Sequence, residues 1–98
     1  MSFPQSANAP LDARRRRIKF RAWHRGMLET DLLFGRFADA EVQKLSASEL
    51  DDFEALLEAL DRDVFGWATG EVETPQVYDT PLFRRIVAFH AGFDPAQI

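Results

Sequence analysis

The sequence of 98 residues contains no cysteine and only two histidines. The absence of cysteine excludes disulfide frameworks, zinc ribbons, iron–sulfur ligation and thiol catalysis, so that ordinary packing must supply the stability. Neither His24 nor His90 shares a predicted helix face with a second ligand at the spacing of three or four residues that a metal site needs. We therefore expect no metal site.

Long hydrophobic runs are also missing. Charged residues interrupt every apolar stretch well short of the roughly 20 residues that span a bilayer, which predicts a soluble protein without membrane insertion. Residues 1–13 lack the charged and apolar regions of a secretory signal and the arginines of a mitochondrial transit peptide. We expect a location in the bacterial cytoplasm, or in the mitochondrial matrix if the chain is a processed eukaryotic form.

Recognisable catalytic patterns are absent as well. The five glycines are scattered, without a G-x-G-x-x-G loop or a P-loop, so the sequence does not support autonomous dinucleotide binding. The hydroxyl side chains fall at predicted helix caps or loops, and nothing pairs them with a base. We expect no catalytic residues, no cofactor of the protein's own and no enzymatic activity.

Helical periodicity is present from Asp12 onward, and no alternating run indicates a strand. The sequence predicts an all-α fold, a single small bundle of about five helices in residues 14–92, between a flexible N-terminal tail (1–13) and a C-terminal tail (93–98). The first two helices are predicted at about Asp12 to Arg25 and Leu28 to Lys44, with Gly26 in a left-handed conformation between them.

Start signals define the later helices. Ser46 and Glu49 form a capping box for the third helix, and Thr80 caps the fifth, which has Pro81 at its first position and runs to Gly92. The fourth is predicted from Asp63, acting as a cap, to Thr69. A repeat of three and four residues predicts one buried seam, composed of Leu50, Phe53, Leu57, Leu60 and Val64.

Positive charge is concentrated near the start of the bundle. Residues 14–25 contain seven basic side chains and no acid, whereas residues 49–63 contain seven acids against Arg62 alone. Four adjacent arginines turn through about 400° around a helix and cannot all face one groove. Three interpretations are open: nucleic-acid binding, an anionic protein surface as partner, and a solvated face that pairs with the acidic helix.

The segment from Arg25 to Glu29 has two interpretations. One is a helix terminator followed by the acid-favouring first turn of the next helix. The other is a docking feature, since Gly26 lacks a Cβ and lets another backbone approach closely, while Arg25 offers an exposed donor fork and Glu29 an acceptor beside it.

These residues resemble a known family, the SdhE-type flavinylation factors. The resemblance rests on R-G-x-x-E at Arg25, Gly26 and Glu29, with Asp31 following. It is extended by Arg17 and Ala22 upstream, by the Leu45-Ser46 helix start and by Asp63-Val64-Phe65-Gly66-Trp67, and it covers about Arg14 to Phe89.

The resemblance implies a five-helix assembly factor that is not itself an enzyme. Such a factor binds the flavoprotein subunit of succinate dehydrogenase or fumarate reductase and promotes covalent attachment of FAD, which belongs to the partner. Partner binding would involve Arg25, Gly26, Glu29 and Asp31, and the free protein is expected to be a monomer. The alternative is a small helical protein that binds nucleic acid or an anionic surface through its arginine-rich first helix.

Overall fold

A computed structural model describes residues 11–92 of the chain. The predicted all-α fold is confirmed, since these residues form five α-helices, two short 3-10 turns and no strand. The rest of the predicted tails lies outside the described residues; within 11–13, Leu11 packs against the core and Asp12 caps the first helix. The helices are α1 (Ala13–Trp23), α2 (Leu28–Glu41), α3 (Ala47–Leu57), α4 (Asp61–Thr69) and α5 (Pro81–Ala91).

Two predicted helix starts are confirmed in atomic detail. The Ser46 hydroxyl accepts from the Glu49 amide, and the Glu49 carboxylate accepts from the Ser46 amide at 2.8 Å, which completes the capping box. The Thr80 hydroxyl accepts from the Phe83 amide at 3.1 Å, with Pro81 at the first helical position. These local signals fix where α3 and α5 begin.

Other predicted boundaries were wrong. Helix α1 ends at Trp23, not Arg25, and α2 ends at Glu41, followed by the 3-10 turn Val42–Lys44. Because α3 ends at Leu57, the predicted seam is broken at Leu60, whose side chain is 61% exposed.

The start of α4 was also predicted wrongly. Asp63 does not cap this helix, which begins two residues earlier at Asp61, after a Leu60 that has no capping side chain. The Asp61 carboxylate accepts a hydrogen bond from Arg25 Nε instead. The predicted end of α4 is correct, because Gly70 is left-handed with φ of +81°.

Aromatic side chains fill the centre of the bundle. Phe34 and Phe37 of α2 pack in tilted geometry against Phe53 of α3, with ring centroids 5.8 and 6.0 Å apart, and all three are buried. Every helix contributes to this core, and its other members in the helices are Ile18, Ala22, Leu33, Ala38, Leu50, Leu56, Leu57, Val64, Leu82, Phe83 and Ile86.

Helices α1 and α2 approach closely at Gly35. A Cβ added there would lie 2.3 Å from the Trp23 ring, so the indole lies against bare backbone. The Trp23 Nε1 group also donates to Asp39 Oδ1 at 3.0 Å. This contact fixes the relative position of the two helices and therefore the turn that joins them.

Candidate docking site

The motif turn, residues 25–29, joins α1 to α2. Gly26 has φ of +111°, a conformation that L side chains rarely adopt. The Asp31 carboxylate accepts from the Arg25 amide at 2.7 Å, and the buried Thr30 hydroxyl donates to the Met27 carbonyl at 3.1 Å. These bonds from the first turn of α2 hold the turn in one conformation.

The Arg25 side chain points into the protein, contrary to the exposed donor fork expected from the sequence. It is 9% exposed, and its Nε donates to Asp61 Oδ1 at 2.7 Å. Its two Nη groups donate to the main-chain oxygens of Leu57 and Ala59. The carbonyls at the end of a helix lack partners within it, and one guanidinium with five donors satisfies them here. Arg25 thereby joins the motif turn to the α3–α4 turn, residues 58–60.

The other motif residues divide into two groups. Asp31 is half-buried and serves the turn, whereas Gly26 and Glu29 are exposed and the Glu29 carboxylate forms no ion pair within residues 11–92. A Cβ at Gly26 would lie 3.6 Å from Asp61 Oδ2, so the first residue of α4 lies beside the motif turn. The structure thus brings Arg25, Gly26 and Asp31 together and leaves the Glu29 side chain to solvent; partner binding by these residues remains a prediction.

Asp61 and Leu60 belong to this region but were not predicted from the sequence as site residues, since Leu60 was assigned to the buried seam. Asp61 lies 36 positions after Arg25, too far for a helical or turn pattern to indicate the pair. Leu60 did carry a signal, because a leucine immediately before an acidic first turn occupies a position where serine, threonine or aspartate is preferred.

The arginine-rich stretch of α1 is largely engaged within the protein. Arg14 binds Asp51 and Glu54, Arg15 binds Asp12, Arg21 binds Glu58, and Lys19 Nζ lies 3.5 Å from Asp39 Oδ1. The hydrogen bond from Arg14 holds the pKa of Glu54 below its ordinary value. These contacts favour the interpretation in which the basic residues pair with acids of the same chain.

Within residues 11–92, no group of three or more His, Asp or Glu side chains is arranged to hold a metal ion. A shallow cavity of about 310 Å³ lies between α4 and α5, where Trp67 stacks on Tyr78 with centroids 4.8 Å apart. Its charged lining residues, Asp79 and Arg84, bind each other at 3.0 Å. No helix in 11–92 has the length and hydrophobicity of a membrane span.

Comparisons with known proteins give a consistent result. A family model described as "Flavinator of succinate dehydrogenase" matches residues 16–90. The chain is 47% identical over 77 residues to the FAD assembly factor SdhE of Acetobacter pasteurianus, a match that covers 79% of this chain and 71% of the relative.

Mitochondrial relatives are also similar over most of the chain. Succinate dehydrogenase assembly factor 2 of Dictyostelium discoideum is 35% identical over 85 residues (87% of this chain, 60% of the relative). Its counterpart in Saccharomyces cerevisiae is 40% identical over 72 residues (74% and 44%). The chain therefore spans about half the length of the mitochondrial relatives and more of the bacterial one.

Proposed function

Because the chain belongs to the family of succinate dehydrogenase flavinators, we propose that it is an FAD assembly factor. It binds the flavoprotein subunit of succinate dehydrogenase, or of the related fumarate reductase, and promotes covalent attachment of FAD to that subunit. The family match covers α2, α3 and α4 completely and most of α1 and α5, and it includes both turns joined by Arg25.

The observation that supports docking at the motif turn is the exposure of Gly26 beside an unpaired carboxylate. Gly26 leaves main chain uncovered at the surface, and Glu29 is available to a cation of the partner. Arg25 and Asp31 act behind this surface, since their side chains bond within the protein and hold the turn. In this proposal Gly26 and Glu29 contact the partner, while Arg25 and Asp31 position them.

The factor acts by selecting a conformation of its partner. A protein without a catalytic set accelerates a reaction of another protein when it binds the reactive conformation more tightly than the others. A difference of about 1.4 kcal/mol changes the population ratio tenfold. The factor is then not an enzyme, and it has no metal or cofactor of its own, because the flavin is held by the partner.

The remaining features of the proposal follow from this role. The free factor is a monomer in the compartment where the flavoprotein subunit folds, the bacterial cytoplasm or the mitochondrial matrix. Binding of nucleic acid through α1 is the less favoured alternative, since Arg14, Arg15 and Arg21 already bind carboxylates of the same chain.

The test is the variant Gly26→Arg, co-expressed with the flavoprotein subunit. A large side chain at φ of +111° covers the exposed main chain and adds backbone strain of about 1–2 kcal/mol. We expect covalent flavin, measured as fluorescence of the denatured subunit on a gel, to fall to the level seen without the factor. Glu29→Ala should cause a smaller loss.

Gly70→Arg is the matched control, because Gly70 also has positive φ (+81°) and open space around an added Cβ. It places the same large side chain at a positive φ at the far end of α4. If Gly26→Arg supports normal flavin attachment, or if Gly70→Arg impairs attachment equally at equal thermal stability, docking at the motif turn is ruled out.

A further inference from the structure

Leu60 is an exposed apolar side chain at a position where a capping residue is expected. It is the N-cap of α4, with φ of −71° and ψ of 143°, and it makes no side-chain cap bond. Serine, threonine, aspartate and asparagine stabilise helices at this position, whereas leucine does not. Its side chain is 61% exposed, so core packing does not explain it either. Residues that break a local rule without gaining stability tend to serve function.

The position of Leu60 is set by Arg25. The guanidinium bonds the carbonyl of Ala59 on one side of Leu60 and the carboxylate of Asp61 on the other. Because both flanking residues are held, the α3–α4 turn is fixed against the motif turn, where Leu28 is 68% exposed. Each of the two adjoining turns therefore presents one leucine to solvent.

We propose that Leu60, together with Leu28, forms an apolar contact surface that extends the docking site onto the α3–α4 turn. This inference rests on the proposed function, since the occupant is the flavoprotein subunit already placed at the motif turn. The two turns present two leucines and the Glu29 carboxylate. The complementary surface of the subunit is an apolar recess that accepts the leucines, bordered by a basic group that pairs with Glu29. The two turns adjoin, because Arg25 of the motif turn binds the Ala59 carbonyl of the α3–α4 turn, and Asp61, next to Leu60, has its Oδ2 3.6 Å from the position that a Cβ on Gly26 would take.

The decisive variant is Leu60→Ser. A serine hydroxyl at this N-cap can accept from an amide of the first turn of α4, so the thermal midpoint should stay unchanged or rise. Binding to the purified flavoprotein subunit, measured by titration, should weaken about tenfold or more, as expected for removing a leucine from a buried contact. A merely structural role for Leu60 predicts no loss of binding in a protein that is equally or more stable.

Val77→Ser is the matched control, because Val77 is 75% exposed and lies in the 3-10 turn Gln76–Tyr78. It should bind like the unchanged protein. Leu60→Ala serves as a second variant that removes the apolar side chain without adding a cap, and it should weaken binding as Leu60→Ser does.

Two results overturn the inference. One is normal binding by both Leu60 variants while Gly26→Arg binds weakly, which leaves the proposed function intact. The other is a change in the oligomeric state of Leu60→Ser, by size-exclusion chromatography, without a change in subunit binding, which assigns the leucine to contacts between copies of the chain. Failure of Gly26→Arg and Glu29→Ala to alter binding would instead rule out docking at the motif turn, the part of the proposed function on which this inference rests.

Discussion

Arg14, in the first turn of α1, and Arg25, two residues after its end, carry the same guanidinium group in very different surroundings. Arg14 is 31% exposed and binds Asp51, which is 70% exposed; Arg25 is 9% exposed and binds Asp61, which is 17% exposed. Water and salt screen the first pair, so it contributes little. Loss of Arg25 from the second pair leaves the Asp61 carboxylate without its partner and removes the donors to the Ala59 and Leu57 carbonyls, of which, within residues 11–92, only Leu57 keeps another donor, Arg21. The dense positive charge around Arg14 is the more conspicuous feature of the sequence, but Arg25 contributes more to the stability of the fold.

Arg25→Ala should give the largest change. It removes the bonds to Leu57, Ala59 and Asp61 at once and leaves a cavity beside Phe34, whose ring lies 5.5 Å from the guanidinium. We expect a loss of about 3 kcal/mol in the free energy of unfolding. Chemical denaturation checks this value, with Arg17→Ala as the control, because Arg17 is exposed and its side chain forms no ion pair within residues 11–92. Equal stability of the two variants would contradict the comparison.

Arg14→Ala should have a smaller effect, and one that depends on salt. Its bonds to Asp51 and Glu54 lie at the surface, where about 1 M salt reduces the Debye length to about 3 Å. The variant should melt below the unchanged protein at low salt, and the gap should narrow as salt is added. For Arg25→Ala the gap should persist in salt. A gap for Arg14→Ala that is independent of salt would show that packing of its aliphatic part, not charge, is responsible.

The smallest expected effect is a pH dependence of the Arg14 contribution. The hydrogen bond from Arg14 lowers the pKa of Glu54 from its ordinary value of 4.5 in the folded protein. A lowered folded-state pKa stabilises the fold fully above the unfolded-state value, and the contribution is lost as the pH falls below 4.5 and through the folded-state pKa. The stability gap between the unchanged protein and Arg14→Ala should therefore shrink in acid. Thermal melts between neutral and acidic pH measure it, and a gap that widens in acid would refute the assignment.

Local signals in the sequence predicted the helix starts that depend on neighbouring residues. The capping box of Ser46 and Glu49 and the Thr80-Pro81 start are encoded within four residues, and both are confirmed. The seam failed at Leu60 because a repeat of apolar residues continues across a turn as easily as along a helix. Periodicity alone does not show where α3 ends.

The candidate site was predicted less completely, for a related reason. The R-G-x-x-E residues identified the family, and partner binding at their turn stays a prediction; they did not indicate the direction of the Arg25 side chain. That direction depends on the carbonyls of α3 and on Asp61, more than 30 positions away, and on no local pattern. Polar contacts between residues far apart in the sequence depend on how the helices pack. That packing is determined by the whole core and not by any short motif.

The contact between Trp23 and Gly35 gives the protein a built-in optical reporter. Only two tryptophans are present, and Trp67 lies on α4, away from the junction of α1 and α2. Replacing Trp67 with phenylalanine leaves Trp23 as the only tryptophan. Its indole rests on the α2 backbone at Gly35, and Trp23 itself lies two residues before the motif turn. Any rearrangement of that turn when the flavoprotein subunit is engaged then changes the emission wavelength of one known residue, without a chemical label.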